Sequence, residues 1–432
     1  MRKMLSKWSR QHGRRLTPGS YFLGLKQLPS RDPNLPWQHA PAAARLAVQW
    51  MVETCVEIEM VIDPEWKAMR SVHLQGGCRA FNGLNNSVEL QPRASNGKIA
   101  AIVTPTYHGL FPILAQAGFS VIGADFYFDR DQTDGRRLPE WRTYNALPGS
   151  LWPTIDQADQ FSFIAHAAIK DKNGELWDVA RRITYLLRTC NWRVRQISDA
   201  YHQQLMAYVK ANSFTPGNRR NDEFTWLGFL AIQSFLVDAC TLRDYLAEYR
   251  ALILSQVGTI PAKPRITKMA SLVSRYLSLN PSLAPVDRHL CDATAVGGWL
   301  HEIGSLRDLA VHVAPLASAD KKLYALCKSV PIDAQEILPS IKLPIPAESS
   351  KIAASRHSGA HFDDPQLNFA RFSNALENPD VALDGLEYAH SSLGRLASLA
   401  SELSAISPLT PEMPSLTAAD IIDLKITNGR ST

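Results

Sequence analysis

The amino-acid sequence predicts a mainly α protein: a central helical bundle, an N-terminal α+β region before it and a C-terminal helical region after it. Three observations carry that expectation. Two long amphipathic runs free of proline occupy 175–211 and 223–254. Residues 98–128 change to short runs rich in β-branched and aromatic side chains. Composition is ordinary for a globular chain, with 45% hydrophobic and 20% charged residues, which excludes a disordered or fibrous polymer. At 432 residues the chain is long enough for more than one domain, each with its own core.

The expected order is a basic arm (1–40), an α+β region (41–165), the helical bundle (175–329), a Pro-rich linker (330–350) and a C-terminal helical region with a tail (351–432). The arm carries Arg2, Lys3, Lys7, Arg10, Arg14, Arg15, Lys26 and Arg31 before the first acid, Asp32. These eight cations exceed the net charge of +5, so the remainder sums to −3. Such an arm admits three readings: an RNA- or polyphosphate-binding segment, a soluble terminus, or an Arg-rich transit peptide. Residues 41–62 have helix-forming composition. Then "KIAAIV" (98–103), "HGLFPILAQAG" (108–118) and "FSVIGADFYF" (119–128) read as strand, short helix, strand, with Gly118 ending the helix. They fit a βαβ unit or part of a mixed sheet.

In the bundle, "FTPGNRRND" (214–222) is a turn between the two long helices. A shorter helix at 266–279 stops at Asn280-Pro281, and a fourth runs from about 287 to 316. The apolar run "FTWLGFLAIQSFLV" (224–237) is shorter than a bilayer span and is followed by Asp238, so it reads as a buried helix. The four prolines of 330–350 suggest a linker or an extended strap over the bundle. Two more helices are expected near 365–377 and 380–405, and the last twenty-five residues look loosely held.

Cofactor chemistry finds little support in the sequence. The loop "TPTYHG" (104–109) has neither a Gly-x-Gly-x-x-Gly nor a Walker pattern. Asp129, Asp131 and Asp134 miss calcium-loop spacing, because Asp134 stands where that loop needs glycine, and read as a polar turn. The cysteines at 55, 78, 190, 240, 291 and 327 form neither a zinc spacing nor a disulfide framework. With no apolar leader, the expected location is the cytoplasm, and no metal or cofactor is expected.

The chemical signal is "SLRDLAVHVAP" (305–315). Arginine followed after four to six residues by histidine is not informative by itself. Thirty arginines and twelve histidines in this chain give about 2.5 chance matches. Three occur: Arg195–His202, Arg307–His312 and Arg356–His361. Helical context separates them. With Arg307 at zero, Asp308 falls near 100° and His312 near 140°, while Leu306, Leu309, Ala310 and Val313 fall between about 200° and 300°. Three polar residues thus oppose an apolar stripe, with Val311 the exception. Arg356–His361 lies in a glycine-containing loop, and Arg195–His202 reads as a solvated helix face. On the preceding helix, Asp238 interrupts an apolar run; it is expected either to hold Arg307 by a charge-assisted hydrogen bond or to be a helix-surface acid.

A helical bundle with "RDLAVH" in a later helix resembles the HEPN family, over about 140 residues (175–316). That family is marked by Arg, a polar residue, three further residues and His; here the polar place is Asp308. The resemblance implies a HEPN-like bundle and RNA cleavage without a metal. RNA supplies its own nucleophile, the 2′-OH. Imidazole titrates near neutral pH, and His312 would act as general base or acid. Arg307 would stabilise charge developing on the phosphate, and Asp308 would orient one of the two or bind RNA. The resemblance also implies a homodimer with a composite cleft, and a toxin or antiviral defence role with a possible antitoxin or regulatory partner. The same residues also fit a non-catalytic RNA- or nucleotide-binding module, or a helical scaffold.

Overall fold

The computed structural model describes residues 69–82, 87–93, 100–103, 107–147, 149–280, 282–313, 323–331, 337–352 and 378–414. The basic arm, the helices expected at 41–62 and 365–377, the Arg356–His361 pair and the tail from 415 lie outside them.

The N-terminal α+β region is built on six strands: β1 (Met69–Leu74), β2 (Arg79–Asn82), β3 (Ser87–Gln91), β4 (Ala100–Val103), β5 (Val121–Tyr127) and β6 (Glu140–Thr143). Their order is β4-β3-β2-β1-β5-β6, and every neighbouring pair is antiparallel. Helix α1 (Tyr107–Gln116) follows β4 and ends before Gly118, whose φ is +81°. It leads to β5, separated from β4 by three strands of the sheet, so the strand–helix–strand expectation holds for the elements but not for adjacent parallel strands. Short α2 (Arg130–Thr133) is capped by Asp129, which accepts from the Gln132 amide, and the three aspartates there form the expected polar turn.

Both faces of this sheet are covered. Register puts Val72, Ala80, Leu90 and Ala124 on one face, with Leu110 and Leu114 of α1 also buried in the core. The other face carries Ser71, His73, Arg79, Asp125, Trp141 and Thr143. It packs on the long helix of the bundle.

That bundle begins with α3 (Pro153–Lys170) and α4 (Gly174–Lys210). The Asn173 side chain caps α4 by accepting from the Leu176 amide at 3.1 Å. Leu176, Val179, Ile183, Leu187, Cys190, Val194, Ile197, Tyr201 and Leu205 recur at three- and four-residue spacing and are buried, which is why the run is one helix. After the turn comes two-residue β7 (Arg219–Arg220), then α5 (Glu223–Gln256), started by a capping box between Asp222 and Thr225. The pairs Arg182–Glu248, Arg193–Asp238 and Gln204–Thr225 run in opposite sequence directions and set α4 and α5 antiparallel. By length and composition α5 is apolar enough to cross a membrane, and half of its apolar window is buried in the bundle.

Two expectations are corrected beyond α5. Helix α6 (Met269–Arg275) is short and passes into a 3-10 turn at Leu277–Leu279. The single helix expected at 287–316 is two: α7 (Pro285–Thr294) and α8 (Trp299–Asp308), followed by a π-helical turn at Leu309–Val313. The break is steric. Gly297 has φ +85°, and a Cβ on Gly298 would lie 2.4 Å from the Ala293 carbonyl oxygen. In the sequence only the adjacent glycines Gly297 and Gly298 mark the break, where the exposed Val296 interrupts the buried face.

The Pro-rich 330–350 stretch is not a linker. It contributes the last two residues of β8 (Ala325–Pro331) and all of β9 (Ile337–Lys342) and β10 (Pro344–Ile345), with Leu338, Ile341, Leu343 and Ile345 buried. Pro339 is tolerated because β9 is an edge strand, in the order β7-β8-β9. The extended strap is therefore the better description. Finally β11 (Leu383–Asp384) pairs with β10 and leads into α9 (Gly385–Ala405), whose Leu393, Leu396, Ala400 and Leu403 join the core.

Candidate functional site

Helix α8 is fixed by its buried side. Leu300, Ile303, Leu306, Leu309 and Ala310 are all within 1% of full burial. On the remaining arc, the Arg307 side chain is 30% exposed, Asp308 47%, and His312 is exposed. The π-helical turn spans this change of direction. A turn closed from i to i+5 brings residues five apart nearer in azimuth than an α-helix does, and such turns occur often at functional sites. Arg307 and His312 are five apart, so the widened turn narrows the angle between them.

Arg307 Nε lies 3.2 Å from Asp308 Oδ1 but finds no aligned hydrogen-bond partner among the described residues. Its guanidinium also bears on the Cys240 thiol of α5. Burial pushes that thiol up, while the charges of Arg243 and Arg307 draw it back. The Cys240 Sγ in turn donates to the Ile303 carbonyl at 3.8 Å, which seats α8 on α5.

Asp238 does not hold Arg307. It pairs with Arg193 of α4 at 2.7 Å. The reason is azimuth: Asp238 and Cys240 are two residues apart and point about 160° away from each other on α5. Cys240 faces α8, so Asp238 faces α4.

A second polar cluster lies between the sheet and α4, where the sequence reading placed a solvated face. That expectation is wrong for Arg195 and His202. Arg195 forks onto Asp125 at 2.8 and 2.9 Å and also reaches Asp199 at 2.7 Å. His73 Nε2 stands 3.2 Å from Asp125, and its Nδ1 stands 3.0 Å from the Ser198 hydroxyl. Arg79 pairs with Asp199, and His202 Nδ1 donates to the Gly77 carbonyl at 2.8 Å. Burial opposes ionisation of Asp125, but hydrogen bonds from His73 and Arg195 outweigh it and hold the carboxyl down at about 2. An ionised Asp125 can only accept, so His73 Nε2 carries the proton and Nδ1 accepts from Ser198. Burial first, then the Arg79 charge, keeps His73 below its ordinary range and neutral.

Ser198, His73 and Asp125 thus repeat the order of a nucleophile, its base and an orienting carboxylate. No substrate reaches them: His73 and Asp125 are 0% exposed and Ser198 1%. The cluster joins sheet to bundle. The signal available in the sequence was a histidine and an aspartate set in otherwise apolar strands, each needing a buried partner.

A cavity of about 390 Å³ opens between α8, the strap and α9. Trp299, Glu302 and Leu306 line it from α8, and Asp384, Glu387 and Arg395 from the other side. Its carboxylates outnumber its one arginine, so its field repels a polyanion. Arg307 faces the opposite flank, toward α5.

Comparison with known proteins finds no matching family model, no matching curated protein and no matching solved structure.

Proposed function

We propose that the chain is a metal-independent endoribonuclease of HEPN type, with Arg307, Asp308 and His312 as its catalytic group. One observation carries the reading: an arginine and an aspartate end α8 and a histidine lies in the widened turn that follows, all on the arc opposite a side locked in the core. A general base and a phosphate ligand on a rigid support are what cleavage through the 2′-OH requires.

In this mechanism the 2′-oxygen attacks the adjacent phosphorus, and the bond from phosphorus to the 5′-oxygen breaks. His312 takes the 2′-OH proton, or as acid delivers one to the departing 5′-oxygen. Arg307 balances the charge that builds on the two non-bridging oxygens, and Asp308 sets its orientation. Products carry a 2′,3′-cyclic phosphate, or a 3′-phosphate after its hydrolysis, opposite a 5′-hydroxyl. One such motif per chain fits a homodimer with a shared cleft. A toxin or antiviral defence role, held in check by a partner protein, would suit an enzyme whose substrate is cellular RNA.

The test is incubation of a mixed RNA pool in EDTA with wild type, Arg307→Ala and His312→Ala. Cleavage is expected to survive chelation and to fall at least about a hundredfold in either variant. Product ends should then be 2′,3′-cyclic phosphate or 3′-phosphate. Wild type that binds RNA and leaves it intact would make this a binding module instead. Cleavage persisting in both variants would remove these residues from the chemistry.

A further inference from the structure

The cavity between α8, the strap and α9 has a lining that the proposed chemistry does not use. On α9, Glu387, Tyr388, Ser391, Ser392 and Arg395 fall within about 140° of arc. Leu386, Ala389, Leu393 and Leu396 lie on the opposite side of that helix and are buried. On α8, Trp299, Glu302 and Leu306 fall within about 60°. The two helices therefore wall the cavity, and Pro346 and Ala347 of the strap border it on a third side. Its volume of about 390 Å³ is in the range of sites that hold small molecules.

The charges around this space are unevenly answered. Asp384 is committed: its Oδ1 accepts from the Leu386 and Glu387 amides at 3.0 Å, and its Oδ2 from the Tyr201 hydroxyl at 3.2 Å. Glu302 is aimed by the strap, since Ser349 donates to its Oε2 at 3.3 Å, and His301 Nδ1 stands 3.5 Å from its Oε1. Glu387 is half-buried, and neither a hydrogen bond nor an ion pair engages its carboxylate among the described residues. Burial holds that carboxyl above its ordinary range. Lys342 draws it the other way, but spends its ammonium on the Pro379 and Ala382 carbonyls at 2.7 and 2.6 Å. A half-buried carboxylate without a close cation is costly to keep, so the group it lacks points to what the cavity takes. Arg395 stands eight residues on, about 12 Å further along the axis of α9, and leaves the Glu387 end open to a cation.

We propose that this cavity binds a short linear diamine, with one ammonium on Glu387, the other on Glu302, and its methylenes against Trp299, Leu306 and Tyr388. Carboxylates on two facing helices suit two positive charges joined by an apolar chain. The aromatic rings favour both parts of such a molecule, because they cover methylene and their faces attract ammonium. A bare metal cation would leave the rings and Leu306 unused. The site lies on the flank of α8 away from Arg307 and stands independently of the ribonuclease reading.

The experiment is isothermal titration of the full chain with putrescine, with n-butylamine and Mg²⁺ as comparators. Putrescine is expected to bind once per chain. The monoamine should bind about tenfold more weakly, because it answers one carboxylate instead of two. An equal concentration of Mg²⁺ should leave putrescine in place, whereas a merely electrostatic attachment would be displaced. Glu387→Gln and Glu302→Gln keep the shape of the side chains, and each should weaken putrescine about tenfold. Trp299→Leu should weaken it about threefold, the worth of the ring. No binding up to about 10 mM putrescine would overturn the assignment. So would equal affinity for diamine and monoamine, displacement by Mg²⁺, or wild-type affinity in the glutamine variants. The comparison of the three ligands needs only wild type, so it decides the matter even where a variant fails to fold.

Discussion

At the scale of single residues, the charged groups of this protein divide by solvent access. His73, Asp125 and Ser198 are sealed, and their geometry fixes protonation rather than chemistry. His202 sits at the edge of the same cluster. Burial, then the Arg79 charge, drives its imidazole from 6.5 down to about 4, despite its bond to the Gly77 carbonyl. Folding therefore favours the neutral ring. Between pH 6.5 and 4 the unfolded chain binds a proton that the folded chain refuses, so this contribution to stability is complete above 6.5 and is lost as pH falls toward 4. Asp125 acts in the same direction at lower pH, between 3.8 and about 2. Each net proton is worth about 1.4 kcal/mol per pH unit. Asp384, which burial pushes up to about 7, opposes this trend in the wild-type total. A difference between variants is therefore the proper readout. Urea unfolding of wild type and His202→Gln at pH 7.5, 6 and 5 should show the gap between them changing in the variant's favour as pH falls. A gap independent of pH would mean that His202 is not held neutral by the fold.

At the scale of elements, what decides legibility is whether a feature is written in one segment or between two. The long helices α4 and α5 were readable to within a few residues, since Asn173, Asp222 and Thr225 cap them locally and their apolar spacing is continuous. The break before α8 is marked only by Gly297-Gly298, and the π-helical turn after it is not readable, because Leu306, Leu309 and Ala310 keep helical spacing into it. Arg195 and His202 look like surface residues on α4 until β1 and β5 present Asp125 and Gly77 to them. Residue type shows polarity, and only the fold shows what lies opposite. Within the candidate site, Arg307, Asp308 and His312 are visible as a pattern, whereas the packing of Arg243 of α5 against Gly304 of α8 is not. The Gln75–Gly77 turn is a sharp case of the same dependence. Gly77 has φ +84°, and a Cβ there would meet the Tyr201 carbonyl carbon and oxygen, both at 2.8 Å. Gly118 has nearly the same φ, +81°, with open space around it. Gly118→Ala should cost about 1–2 kcal/mol for the backbone alone. Gly77→Ala should cost about 1–3 kcal/mol more, because helix backbone cannot move aside. Equal shifts in urea midpoint for the two variants would show that the turn does not press on α4.

At the scale of the whole molecule, many charges of the described residues are paired at close range. Arg195 with Asp125, Arg250 with Asp287 at 2.6 Å, and Arg182 and Arg265 with Glu248 all neutralise one another at close range. The excess is left to the arm, whose eight cations outweigh a remainder of −3. On the ribonuclease reading, division of labour follows: Arg307 recognises a phosphate at a fixed position, and the arm raises the local concentration of RNA without fixing its register. Removing residues 2–31 should therefore weaken binding of a long single-stranded RNA mostly at low salt. The slope of log K against log salt should fall by about 0.7 for each phosphate the arm contacted, and cleavage should lose through KM. Arg307→Ala should instead lose through kcat, with most of the salt slope retained. A truncated chain with the wild-type slope would assign the arm to another use, as a soluble terminus or a transit segment. The two effects separate because screening acts over about 10 Å at 0.1 M salt and weakens contacts made through solvent more than those of a guanidinium seated against a packed helix.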